Sequence, residues 1–125
     1  DQGPCAIKRL RGCGCGNEYV AITPEGDIYP CHQFVGMEEW KMGNLLDGTF
    51  DLNMKERFAR ANIYSKEECK NCWAKFYCSG GCNANNQQYG GDILKPFSLA
   101  CDMEKKRLEC AIMIKAALSD GGQSI

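Results

Sequence analysis

A chain of 125 residues, with 15 basic against 16 acidic side chains and a formal net charge of −1, has the size of one domain and lacks the clustered basic excess of a nucleic-acid surface. Hydrophobic residues make up 44% of it, yet 10 of these are cysteines, so the ordinary apolar core is smaller than that fraction implies and stability must come partly from elsewhere. No apolar run approaches a membrane span, which predicts a soluble, cytoplasmic protein with neither a membrane nor a nucleic-acid partner.

In chain order, residues 1–16 read as irregular, with Pro4 and four glycines, and carry Cys5, Cys13 and Cys15. From Glu18 to Thr23 the run EYVAIT is β-branched and aromatic. Pro24-Glu25-Gly26-Asp27 then gives a turn and Ile28-Tyr29-Pro30 resumes extended chain, so a β-hairpin is predicted that returns Cys31 towards Cys13 and Cys15. Met37 to Leu46 reads as a connector with a short strand at Trp40 to Met42. Asp51 to Asn62 is predicted as a short amphipathic helix capped by Asp51, with Leu52, Lys55, Phe58 and Ala59 at adjoining positions.

The densest chemistry follows in CKNCWAKFYCSGGC, where Cys69, Cys72, Cys78 and Cys82 stand at C-x2-C-x5-C-x3-C spacing. Thiols this close cannot all pair as unstrained disulfides, whereas a metal centre needs several sulfurs converging on one point. Gly80 and Gly81 let the backbone fold over metal or sulfide where a Cβ would collide, and Trp73, Phe76 and Tyr77 are expected to wall the centre. Asn83 to Tyr89 reads as helical until Gly90-Gly91 stops it. A long helix is predicted from Ser98 to about Ser119, with Met103, Cys110, Ile114 and Ala117 on one apolar face. Cys101 falls in its first turn, where unpaired N–H groups and the helix dipole favour a thiolate. The basic clusters Lys8, Arg9, Arg11 and Lys105, Lys106, Arg107 read as solvated faces.

The fold class expected is therefore α+β: a small metal-dependent domain with an N-terminal β-hairpin, a short helix, a Cys-rich knuckle loop and a long C-terminal helix. Cys69, Cys72, Cys78, Cys82, Cys101 and Cys31, with Cys13 or Cys15, supply enough sulfur for two four-thiol sites. Zinc and iron-sulfur clusters both accept such ligands. The single C-x2-C pair followed by wider spacings favours iron-sulfur over a zinc-stabilised interaction domain, which stands as the alternative. Cys110 is expected as a small buried hydrophobe, and His32 as a hydrogen-bond donor behind the ligands or a surface residue.

The order Cys15, ten residues, Gly26, four residues, Cys31, then C-x2-C-x5-C-x3-C and Cys101 resembles the seven-cysteine pattern of the SPASM domain. That domain is the auxiliary-cluster extension of radical S-adenosylmethionine enzymes that modify peptides. GNEYVAITPEGDIYPCHQFVG and CKNCWAKFYCSGGC look more narrowly like the thioether-forming maturases of six-cysteines-in-forty-five-residues peptides. The resemblance implies two 4Fe-4S clusters with interleaved ligands. One would take Cys13 and/or Cys15, Cys31 and Cys82; the other, Cys69, Cys72, Cys78 and Cys101. It also implies residues 1–12 as a linker from a radical S-adenosylmethionine barrel of the same polypeptide, 13–119 as the SPASM domain, and 120–125 as a flexible tail. The implied partner is a Cys-rich precursor peptide.

A C-x3-C-x2-C loop for binding S-adenosylmethionine is not in this sequence: the one C-x3-C is Cys78 to Cys82, and Asn85 stands where a third cysteine is needed. The barrel itself, on the order of 200 residues, cannot fit. S-adenosylmethionine is thus expected as a cofactor of the full-length enzyme only, and this chain alone is expected to be inactive. No Ser-His-Asp set, phosphate-binding glycine loop or carboxylate pair supports hydrolysis or phosphoryl transfer.

Overall fold

The computed structural model describes residue 7 and residues 9–121. It has the expected α+β architecture, with a small antiparallel sheet, short helices among cysteine-bearing loops, and one long final helix. The hairpin forms from β1 (Ala21–Ile22) and β2 (Asp27–Tyr29), with Ala21 opposite Tyr29 and Ile22 opposite Ile28. Gly26 closes the turn at a φ of 88°, a conformation that costs a side-chain-bearing residue free energy, and its N–H donates to the Thr23 carbonyl at 2.9 Å.

Two further strands, β3 (Gly43–Asn44) and β4 (Thr49–Phe50), extend the sheet in the order β1-β2-β3-β4. The strand expected at Trp40 to Met42 is displaced. Glu38–Trp40 is instead a 3-10 turn that rolls Trp40 inward, and regular pairing begins at Gly43. Burial of the indole decides this, because the turn puts Trp40 against Phe34 at 4.8 Å between ring centroids and edge-on to Phe58 at 5.8 Å.

Helix α1 (Leu52–Ala59) starts as expected: the Asp51 carboxylate accepts from the Met54 N–H at 3.0 Å. It stops short of Asn62, whose side-chain oxygen instead accepts from the Tyr64 and Ser65 N–H groups at 2.8 and 3.1 Å and begins the next turn. Phe34, Trp40 and Phe58 form the centre of the core, which also takes in Tyr29, Ile93, Cys15 and Cys31. Gly16 packs face-on to Phe58, where a Cβ would lie 2.5 Å from the ring.

After the loop that follows α1 come α2 (Lys75–Cys78) and α3 (Asn83–Asn85), the latter running into a π-helical turn at Asn86–Gly90. Gly91, at a φ of 85°, ends it, matching the stop expected at the paired glycines. Helix α4 (Ser98–Asp120) has nearly the expected limits but not the expected face. Met103, Cys110, Ile114 and Ala117 are exposed, and Leu108 is the buried residue of the helix. The periodicity identified a helix correctly, but no element of the described chain lies against that stripe. Among the described residues, no helix is long and apolar enough to cross a membrane.

Because Phe58 joins α1 to both other aromatic rings and to Gly16, Phe58→Ala is expected to cost about 3–5 kcal/mol. The measurement is the denaturant midpoint against the unsubstituted protein. Lys55→Ala, on the same helix but outside the core, is expected to stay within about 0.5 kcal/mol.

Candidate metal centres

The knuckle between Cys78 and Cys82 turns through three successive residues with positive φ: Ser79 at 61°, Gly80 at 86° and Gly81 at 76°. Such a run is open to glycine and strained for a serine, so the surrounding bonds must hold it. They converge on the Gly80 carbonyl, which accepts from Lys66 Nζ at 2.9 Å and from Asn86 Nδ2 at 3.1 Å. A Cβ on Gly80 would stand 3.0 Å from Lys66 Nζ, so it is this lysine that crowds the position expected to face metal or sulfide.

All nine cysteines of the described residues are free thiols, and Cys5 lies outside those residues. Eight of them, all but Cys110, form two electrostatic neighbourhoods. In the first, the Cys13 and Cys15 thiols shift each other's ionisation in opposite directions, and Cys31 feels both Cys82 and Cys13. The backbone explains the approach: Gly16 N–H donates to Tyr19 O at 2.8 Å and to Pro30 O at 2.9 Å, which draws the Cys13-Gly14-Cys15 segment onto the end of the hairpin. Cys82 arrives from the knuckle, its sulfur accepting from Gln33 Nε2 at 3.4 Å.

In the second neighbourhood, Cys69 responds to Cys101, Cys78 and Cys72, and Cys101 to Cys78 and Cys72. These four, together with Cys82, line one cavity of about 500 Å³ between the knuckle and the first turn of α4. Cys101 occupies that first turn, as expected. Asn86 sets the helix start: its side-chain oxygen accepts from Phe97 N–H at 3.3 Å while its amide reaches back to Gly80.

The donor chemistry suits a thiophilic metal or cluster. Cys13 is held down at about 5 because its sulfur accepts from the Cys15 thiol, while donating that bond and being buried push Cys15 well up. Burial raises Cys31, raises Cys69 to about 11, and raises Cys101. A cation bound at either group would reverse this order, since a coordinating thiol gives up its proton. Among the described residues no three His, Cys, Asp or Glu side chains gather closely enough to hold one ion. The cavity is instead wide enough for an inorganic cage that binds one thiolate at each of four corners.

Several expected neighbours sit elsewhere. Trp73 and Tyr77 are about half exposed and build no wall; the aromatic packing lies on the Cys15 and Cys31 side, from Phe34, Trp40 and Phe58. His32 is exposed, and the adjacent Gln33 is the residue that donates to a cysteine sulfur. Cys110 is exposed on α4 rather than buried. Of the basic clusters, Arg9, Lys106 and Arg107 are exposed as expected, with Arg107 on Glu104 and Lys106 on Glu109, while Arg11 and Lys105 are half-buried and Lys8 lies outside the described residues. Lys66, Asn83 and Asn86, all buried around the knuckle, carried no distinguishing signal in a stretch rich in lysine and asparagine.

A small sheet, a left-handed knuckle and two groups of thiols define a compact cysteine-rich α+β domain. Residues 13–73 match the family model of the SPASM domain, described as an iron-sulfur cluster-binding domain. That match takes in Cys13, Cys15, Cys31, Cys69 and Cys72 and ends before Cys78. An uncharacterized protein of Archaeoglobus fulgidus is 32% identical over 96 residues, which is 75% of this chain and 23% of that protein. A serine-type anaerobic sulfatase-maturating enzyme of Klebsiella aerogenes is 31% identical over 98 residues, 66% of this chain and 24% of the enzyme. A PqqA peptide cyclase of Xanthomonas axonopodis pv. citri is 31% identical over 83 residues, 63% of this chain and 22% of the cyclase. The chain thus spans less than a quarter of the length of these relatives.

In metal-free, reduced protein, Cys13 is expected to be the first thiol alkylated by iodoacetamide at pH 7, since it is exposed and its thiolate is formed above pH about 5 while Cys69 stays protonated up to about 11. Lowering the pH from 7 to 4 should slow labelling of Cys13 about tenfold, because the thiolate is protonated as pH falls through its pKa. Cys15→Ala removes the hydrogen-bond donor and should slow labelling of Cys13 at pH 7. Peptide mass spectrometry reads both.

Proposed function

We propose that the chain is the double-cluster domain of a radical S-adenosylmethionine maturase, with one 4Fe-4S cluster on Cys13 and/or Cys15, Cys31 and Cys82 and a second on Cys69, Cys72, Cys78 and Cys101. The observation that carries this is the convergence of Cys69, Cys72, Cys78, Cys82 and Cys101 on one cavity, with Cys82 at its edge also acting on Cys31 of the group that Cys13 and Cys15 complete. When bound, such clusters supply one-electron acceptors and donors inside the protein. The chain's own residues would then hold four thiolates around each centre, exclude water with the Phe34, Trp40 and Phe58 packing on one side, and donate hydrogen bonds to sulfur from Gln33 and Asn83.

The sulfatase-maturating and peptide-cyclase activities of two relatives, and the motif resemblance, support a peptide or protein substrate. The finer proposal is a thioether synthase acting on a Cys-rich precursor peptide. In it, a hydrogen atom of the acceptor residue would pass to a radical formed in the barrel domain of the same polypeptide, the peptide thiol would give up its proton to a base as its sulfur bonds to that carbon, and the remaining electron would leave through this domain. Residues 1–12 would be the link to that barrel, residues 13–119 the cluster-bearing unit and 120–125 a tail. The cytoplasm, where thiols stay reduced, is the compartment that suits such chemistry.

Protein isolated and reconstituted without oxygen is expected to carry about eight iron and about eight sulfide per chain, with broad visible absorbance. Stoichiometric zinc in freshly isolated anaerobic protein, with no iron uptake, would overturn the cluster function in favour of a zinc-stabilised interaction domain. Cys15→Ala with unchanged iron would show Cys15 to be spare and one iron of the first cluster to be open.

A further inference from the structure

Among the described residues Lys66 is the one charged side chain that is buried, at 1% exposure. Its ammonium donates to the Gly80 carbonyl at 2.9 Å and to Asn83 Oδ1 at 2.8 Å. Both acceptors are neutral, and no carboxylate pairs with Lys66 among the ion pairs of the described residues. Two neutral acceptors are poor compensation for an ammonium taken wholly out of water. A methionine or leucine would fill the same volume without that cost.

The surroundings supply the missing anion. Asn83 bridges Lys66 to the first thiol group, since its Nδ2 donates to Cys15 Sγ at 3.6 Å. The Lys66 carbonyl accepts from the Cys69 N–H at 2.9 Å, which ties the same residue to the second group. Gly80, the main acceptor, lies in the chain between Cys78 of one group and Cys82 of the other. Burial pushes the Lys66 pKa down, and thiols from both groups oppose that shift and favour the ammonium: Cys69 and Cys78 from one, Cys15 and Cys82 from the other. Gly80 has no side chain where a Cβ would crowd the ammonium, so the backbone leaves room for this lysine.

We propose that Lys66 is a positioning residue shared by the two thiol groups, a buried cation that Gly80 and Asn83 hold in place to offset the negative charge of both bound clusters. This rests on the two-cluster function proposed above. A cluster ligated by four thiolates is anionic, and an added electron makes it more so. A fixed cation in a medium of low dielectric constant therefore stabilises the reduced form more than the oxidised form and raises the potential. One ammonium facing both groups raises both potentials together, which a lysine serving only as a packing plug would not do.

The test compares the intact protein with Lys66→Met and Lys66→Arg, each reconstituted without oxygen, counted for iron and sulfide, and then titrated redox-potentiometrically by electron paramagnetic resonance. Lys66→Met is expected to load iron fully and to shift both reduction equilibria at least tenfold towards the oxidised form, about 59 mV for a one-electron couple. Lys66→Arg should stay close to the unsubstituted protein. Full iron with unmoved potentials in Lys66→Met overturns the proposal while leaving the two-cluster function standing. If Lys66→Met loads no iron, Lys66→Arg decides: normal loading and potentials support a requirement for charge, and failure to load assigns Lys66 a role of shape and overturns it. No iron uptake by the unsubstituted protein overturns the cluster function and this proposal with it.

Discussion

The Gly80 carbonyl is the point on which the cysteine-rich half of the molecule depends. Two buried side chains from different segments, Lys66 and Asn86, donate to this one oxygen. Their bonds hold three successive residues in the left-handed region, which a free chain would leave. With that turn set, Cys78 and Cys82 both border the cavity at the knuckle, and Cys82 also comes near enough to Cys31 to act on it. Without it, the short α2 and α3 would have little reason to stop and restart where they do.

Around this turn the apolar core is modest and lies to one side. Phe58 packs edge to face on Phe34 and Trp40, which tilt against each other beside Cys15 and Cys31, and Arg57 lies over the Trp40 ring at 5.0 Å. The second thiol group borders a cavity lined in part by Phe97, whose ring stacks on Tyr89 at 4.9 Å. Helix α4 is held near its first turns, through Asn86 at the start and Leu108 further along. A small domain with so little conventional burial leans on other restraints, and metal ligation is the one its thiols are arranged to supply.

Local signals proved readable where the cause was local. Asp51 caps α1 because a carboxylate just before a helix finds an unpaired N–H in the first turn, and the Pro24-to-Asp27 turn follows from the freedom of Gly26. The cysteine spacing exposed the thiol cluster because close thiols are rare unless used together. Strands β3 and β4 escaped notice, since two-residue strands have no alternation to detect. Trp40 reads as a strand residue by propensity, but burial against Phe34 and Phe58 outweighs a weak local preference. Trp73 and Tyr77 were misjudged for the opposite reason, because closeness to the cysteines in sequence says nothing about which way a ring turns.

Sequence alone therefore determined the α+β class, the hairpin, the capped helix, the long final helix and the set of thiols, since each arises from neighbouring residues or from spacing along the chain. Tertiary structure alone decided how the thiols divide and which residues attend them. Gln33 at Cys82, Asn83 at Cys15 and the buried ammonium of Lys66 come together across separations of 14 to 68 residues. Polar side chains such as these are ordinarily solvated, and only the closed chain reveals which of them has been taken out of water to meet a partner.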